Sequence, residues 1–381
     1  MEKFIELIQR AHQERFKLVV DRIINEKIPV ALLSDEPLEK FISLLKENNW
    51  DLNICQGIVT TPPRVQTDFR ITNLADADKI HPRPEYILTP GTLAARLAVK
   101  YMPDCKTLVI GSRTRSEKFY EAFMNNLSKL QKVYESLVDE ESRKVFRGYW
   151  LGNITKQFSE LRHSNDSHYF TCGFIPEPGA VVIDGGVLDG TTSALFCGLG
   201  CKVYGFEMDK INYEATQPLA KEKGFVLENL GLGAYSHDVK YTHAPDGNPG
   251  ASRFDIQGQE TAKLVSLDWY VREKGLSRVD CIKLDVEGAE LDVLKGAKTT
   301  IARWKPILIL SAYHKLDDFW TLMNFVKSIR PDYEWSCRHY AMFPEDSPRW
   351  LANDSDSVNR LQDLNMEVSI KPFNECCLLA K

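Results

Sequence analysis

The chain has 381 residues, 43% hydrophobic and 27% charged, which is ordinary globular material with room for two domains. Its net charge of −5 offers no electrostatic reason to expect a nucleic-acid partner, and no apolar run reaches the roughly 18 residues of a membrane span. Charges throughout MEKFIELIQRAHQERF argue against a signal peptide, and nine cysteines without a C-x-x-C pair indicate reduced thiols in a cytoplasmic setting.

Residues 1–26 read as an amphipathic helix, with Phe4, Ile5, Ile8, Phe16, Val19, Val20 and Ile23 on a broad apolar face. From 27 to 113, strands at PVALLS, LNICQGIVT, EYILTP and TLVIGS alternate with helices at PLEKFISLLKEN and GTLAARLAVKYM. Such alternation implies a small parallel α/β domain, a degenerate Rossmann-like unit whose Gly91 and Gly111 stand alone and make no cofactor fingerprint. Residues 114–170 read as a helical bridge, with a polar helix over 114–148 and no assignment for 149–170.

Residues 171–381 carry the chemistry. Val181, Val182 and Ile183 form a buried-strand run that enters DGGVLDGTT, where glycines turn the chain and Thr191 and Thr192 open a helix. This is a nucleotide-cofactor turn. Asp184 stands where a dinucleotide fingerprint has its first glycine, and an acid there suits the cationic S-adenosylmethionine better than a pyrophosphate. The second strand, CKVYGFEMD, ends at Glu207, 23 residues beyond Asp184, where such folds hold ribose hydroxyls. Glu228 or Asn229, ending a third strand around FVLENLGLG, is placed to meet the adenine.

The fourth strand, in DCIKLDVEGAELDVLKGA, brings Asp285 and Glu287 to its carboxyl tip before a helix over 289–304. The fifth, PILILSAYH, ends at His314, and a helix over 316–330 follows. YEWSCRHY and ECCLLA complete a seven-stranded sheet closed by an antiparallel edge. Ligands of open α/β sheets bind at strand carboxyl ends, so these acids and His314 share one crevice.

VVIDGGVLDGTT, YGFEMD, CIKLDVEGAELDVLKGA, LILSAYHK and the late RHY together resemble the FkbM-type methyltransferases over about residues 171–381. The resemblance implies a class I methyltransferase Rossmann-like sheet and transfer of a methyl group from S-adenosylmethionine to a hydroxyl oxygen, with a sugar, glycan or secondary metabolite as acceptor. The family usually has proline where this chain has Met208 and a small residue such as alanine where it has Gly186, and the insert FPEDSPRWLANDSDSVNR blurs its end pattern.

The implied cofactor set is Asp184, Gly185, Gly186, Asp189, Gly190, Thr191, Glu207, Met208, Glu228, Asn229 and Asp285. Asp184 would meet the methionine end. A sugar hydroxyl is a poor nucleophile, so a base or metal is expected: Asp285, His314 or Glu287 as base, or Asp285 and Glu287 on a divalent cation such as magnesium. Arg338, His339 and Tyr340 are candidates for the acceptor, and a homodimer is compatible with the chain. Structural readings stand beside these: Asp184 capping its turn, Glu287 capping the next helix, His314 and 338–340 as packing. Two other classes stay open, a nicotinamide-dependent sugar-nucleotide enzyme and a non-catalytic module on the same fold.

Overall fold

The computed structural model describes residues 2–34, 38–47, 50–59, 67–110, 113–164, 166, 168–243, 253–254, 257–340 and 376–381. The insert at 343–360 and the lone Gly111 lie outside them. The chain forms two compact units, residues 1–131 with 143–164, and residues 132–142 with 165–340 and 375–381, so the stretch read as a helical bridge is divided between them.

The first unit opens with α1 (Glu2–Gln13) and α2 (Phe16–Asn25), two helices rather than the single one expected, because Arg15 adopts an extended conformation between them. Five strands follow: β1 (Val30–Ser34), β2 (Ile54–Val59), β3 (Arg70–Asn73), β4 (Tyr86–Thr89) and β5 (Lys106–Val109), all parallel in the order β3-β2-β1-β4-β5. Helix α3 (Leu38–Glu47) follows β1 and α4 (Thr92–Tyr101) follows β4. Every residue of β1 is buried because the sheet is covered on both faces. Val30 and Leu32 pack with Phe16, Val20, Phe41 and Leu45 of α2 and α3, while Ala31 and Leu33 pack with Ala94, Leu97 and Ala98 of α4. The edge strand β3, of sequence RITN, escaped the sequence reading because it has no apolar run and is half exposed.

The stretch from 113 to 155 is three helices, α5 (Arg113–Asn125), α6 (Leu127–Ser136) and α7 (Glu140–Thr155). In the second unit, strands β6 (Val181–Gly185), β7 (Lys202–Phe206) and β8 (Val226–Glu228) alternate with α8 (Thr191–Gly198) and α9 (Lys210–Lys223). Asp209 caps α9 at its start and Gly224 ends it in a left-handed conformation.

An excursion not foreseen from the sequence follows. Strands β9 (Gly231–Leu232), β10 (His237–Thr242), β11 (Arg253–Phe254) and β12 (Glu260–Val265) make a second, four-stranded sheet. Its β10 alternates half-buried and exposed residues, a weak signal beside the apolar runs of the main sheet. After α10 (Leu267–Glu273) comes β13 (Cys281–Leu284), then α11 (Glu290–Gly296) and α12 (Lys298–Trp304). The single helix expected over 289–304 breaks at Ala297. Gly296 there packs against the Gly233 backbone so closely that a Cβ would lie 2.1 Å from its carbonyl oxygen. Strand β14 (Ile307–Ser311), α13 (Asp318–Ile329), β15 (Trp335–His339) and β16 (Cys376–Ala380) complete the unit.

The main sheet has the order β15-β16-β14-β13-β6-β7-β8. All neighbours from β8 to β14 are parallel, and β16 is antiparallel to both strands it joins. This is the class I methyltransferase order. The antiparallel strand therefore lies inside the sheet between β14 and β15, not at its edge as expected.

The turn after β6 sets the geometry of everything near it. Gly186 has φ +81° and Gly190 has φ +82°. A Cβ on Gly186 would lie 1.8 Å from the Asp285 carbonyl oxygen, a backbone atom that cannot swing away. A side chain here would require the backbone to shift. Gly186→Ala should cost at least ~2 kcal/mol through strain and clash, measured as a lowered midpoint in chemical denaturation. An unchanged midpoint would refute the close approach.

Candidate active site

The site lies at the carboxyl ends of the central strands of the main sheet. Asp184, near the end of β6, is fully buried, with Oδ1 2.9 Å from Lys283 Nζ and Oδ2 accepting from Ser193 Oγ at 2.6 Å. Lys283 is its registered partner on β13 and is 2% exposed. Lys283 also donates to the Gly186 carbonyl at 2.8 Å. Burial would drive Lys283 toward neutrality, but Asp184 and Asp285 outweigh it and hold the ammonium above its ordinary value. The sequence reading passed over Lys283; a charge inside an otherwise apolar strand was the available signal.

Glu207 follows β7 and is buried, its carboxylate accepting from the Leu188 amide at 2.9 Å and the Asp209 amide at 2.8 Å. Burial, opposed by those amides, pushes its carboxyl up to about 7. Asn229 donates to the carbonyls of Glu207 and Met208, and half-buried Met208 lies in this corner. Glu228 is engaged with Tyr270 Oη at 2.9 Å and Lys274 Nζ at 2.8 Å. In the turn, Asp189 accepts from the Thr191 amide at 3.0 Å, and a Cβ on Gly190 would meet Thr216 at 2.7 Å. Gly185 closes β6 against Leu284.

Asp285 directly follows β13. It accepts from Tyr169 Oη at 2.6 Å and Tyr313 Oη at 3.1 Å. Tyr169 comes from the segment that had no assignment; it has φ +67°, its ring stacks on His168, and Lys283 Nζ lies 5.1 Å from its centroid. Burial works to raise Asp285, but Lys283, His314 and Tyr169 hold its carboxyl below the ordinary value. Glu287 has φ +52° and a half-exposed side chain. Burial, with Asp285 and Glu290 nearby and against His314, pushes its carboxyl up to about 7.

His314 lies three residues beyond β14. Its Nε2 is 3.4 Å from Asp285 Oδ1 and 3.6 Å from Glu287 Oε2, and its Nδ1 is 2.8 Å from Glu290 Oε1. Burial alone would lower the imidazole; hydrogen bonding to Glu290 and the charges of Asp285, Glu290 and Glu287 raise it to about 9. Glu290 is the second residue missed from sequence. Its buried carboxylate accepts from the Val286 and Gly288 amides, the capping duty considered for Glu287.

Arg338, His339 and Tyr340 are buried along and just after β15, with the Tyr340 ring 6.2 Å from that of Tyr169. The Arg338 guanidinium is committed to Ser142 Oγ at 2.7 Å and to Asp139, Glu141 and Asp166. Tyr340 shares a hydrogen bond with Thr171 at 2.8 Å.

The residues suit a nucleoside cofactor in two respects. Gly186 leaves the turn free of side chain where it meets Asp285, and Glu207 puts a carboxylate at the tip of the neighbouring strand. Among the described residues no helix is long and apolar enough to cross a membrane.

Comparison with known proteins matches residues 180–343 to the family described as Methyltransferase FkbM domain. The Hexuronic acid methyltransferase AglP of Haloferax volcanii is 30% identical over 107 residues, 28% of this chain and 45% of that protein. This chain thus spans less than half the length of the curated relative it matches. A solved methyltransferase FkbM from Methylobacillus flagellatus KT shares the fold with a TM-score of 0.64 at 16% identity, covering 100% of this chain and 98% of that one. Residues 180–343, a little under half of the chain, thus carry a methyltransferase FkbM domain.

Proposed function

We propose that this protein transfers the methyl group of S-adenosylmethionine to a hydroxyl oxygen of a sugar-type acceptor, with a hexuronic acid or a glycan carrying one as the leading class. The observation that carries the reading is the contact between the glycine turn and Asp285. Gly186 abuts the Asp285 backbone, so a cofactor seated on the turn adjoins Asp285, Glu287 and His314. The hexuronic acid activity named for the Haloferax relative supports the acceptor class.

In this reading Glu207 accepts the two ribose hydroxyls, and Gly185, Gly186 and Gly190 keep the turn clear of side chains. Asp184 acts through Lys283, which ties β13 to the turn carbonyls. Bound S-adenosylmethionine supplies an electrophilic methyl on a sulfonium. The protein's share is alignment, plus acceptance of the hydroxyl proton by a carboxylate of Asp285 or Glu287, beside a His314 that its acidic neighbours keep protonated. Tyr169 and Tyr313 fix the Asp285 carboxylate by two hydrogen bonds, which favours a single orientation toward the acceptor.

Two outcomes test this. Asp285→Asn should lower kcat roughly 100-fold or more with labelled S-adenosylmethionine and a uronic-acid glycan, while S-adenosylhomocysteine affinity stays within about threefold. Full turnover by that variant would sink the catalytic assignment. Glu207 should make cofactor affinity pH-dependent. Its carboxylate must be ionised to accept two hydroxyls, and its carboxyl is raised to about 7, so protonation below that value opposes binding. Calorimetry should find S-adenosylhomocysteine bound up to about tenfold more weakly near pH 6 than near pH 8. Glu207→Gln should bind weakly at both values and abolish the difference; a slope that survives in the variant would remove Glu207 from the ribose.

A further inference from the structure

Resting on the active-site reading above, we infer that Asp285, Glu287 and His314 form a binding site for a divalent transition metal, of zinc's chemistry rather than magnesium's. One ligand atom from each residue lies within 4.8 Å of the others. Clustered acids alone would not make a site. The independent observation is His314, whose side chain is only 9% exposed and whose buried Nε2 has no hydrogen-bond partner among the described residues. That nitrogen is aimed at both carboxylates, at 3.4 and 3.6 Å. These separations are too long for hydrogen bonds of good geometry.

They match a different construction. Tetrahedral zinc with bonds of about 2.0–2.2 Å sets its donors about 3.4 Å apart, whereas the octahedron around magnesium sets neighbouring oxygens about 2.9 Å apart. An imidazole nitrogen in the donor set points the same way, because magnesium selects oxygen ligands and water. The opposite ring nitrogen completes the pattern. His314 Nδ1 donates to Glu290 Oε1 at 2.8 Å, so a metal that displaces the Nε2 proton would meet a lone pair on an imidazole already oriented from behind. Glu290 is itself buried and pinned by the Val286 and Gly288 amides, so the imidazole is held by a rigid carboxylate. The strained backbone at Glu287 turns its carboxylate toward the same point.

The fourth position of such a site would be open to an acceptor oxygen. A hydroxyl bound there loses its proton far more readily than in water, so the metal would stabilise the alkoxide before it meets the methyl group. The released proton passes by way of the neighbouring carboxylates to solvent, and no electron transfer is involved.

The test uses the full chain, stripped with a chelator and titrated calorimetrically with zinc, manganese or magnesium chloride, with S-adenosylhomocysteine binding measured in parallel. Zinc should bind with one-to-one stoichiometry well below about 10 µM, manganese more weakly, and magnesium weakest of the three. His314→Ala should abolish stoichiometric binding, and Glu287→Gln, at a half-exposed position, should weaken it while leaving the fold and cofactor affinity intact. Glu290→Gln should weaken zinc roughly 10- to 100-fold as an outer partner. Zinc affinity unchanged in His314→Ala, no stoichiometric binding to the parent chain, or magnesium bound more tightly than zinc would each overturn the proposal. Full methyl transfer by chelated protein would overturn it while leaving the methyltransferase reading standing. Zinc bound as expected in a protein that transfers no methyl group would sustain the site and overturn the reaction.

Discussion

The buried pair of Asp184 and Lys283 is the constraint on which the functional end of the sheet depends. Two full charges sit between neighbouring parallel strands, in register and almost without solvent. Neither is tolerable alone: removal of one would strand the other in a medium that solvates it poorly. Together they cross-link β6 to β13, and the same ammonium gathers the carbonyls of the glycine turn. The turn's position relative to Asp285 follows from this pair. The absent side chain of Gly186 then allows the two backbones to touch.

From that anchor the site spreads as a chain of charge and hydrogen bond. Lys283 lowers Asp285, Tyr169 and Tyr313 orient it, and Asp285 faces His314, which Glu290 holds from behind. The polar groups are mutually dependent, because each is held in place or charged by its neighbours. The cost of this arrangement is visible in the backbone. Tyr169 and Glu287 both adopt positive φ without being glycine, and both deliver their side chains to Asp285 or His314.

Much of this was legible residue by residue. The apolar tripeptide before Asp184, the acid at the end of β7 and the acid after β13 mark strand tips, since burial of a parallel strand demands a continuous apolar run that polar residues then terminate. The helical stretches were also legible in outline, although Arg15 and Ala297 divided two that periodicity had joined. What escaped was polar or remote. β3 and the sheet formed by β9 to β12 lack strong apolar patterning, and Tyr169 lies 116 positions before the carboxylate it orients. Arg338, an acceptor candidate in RHY, is paired with Asp139, Glu141 and Asp166, all remote in sequence.

By itself the sequence determined the strand–turn–helix rhythm, the glycine turn and the carboxylates that end the strands, because all of these rest on local spacing and backbone freedom. It also carried the family through the DVEGAE block. Only the tertiary structure decided which acids are free to act and which are already paired. Asp184 answers to Lys283 through strand register, and Glu228 answers to Tyr270 and Lys274. Glu290, not Glu287, caps the turn and holds His314. The physical reason is that a buried charge takes its meaning from the partner that satisfies it, and partners distant along the chain are brought together only by the fold.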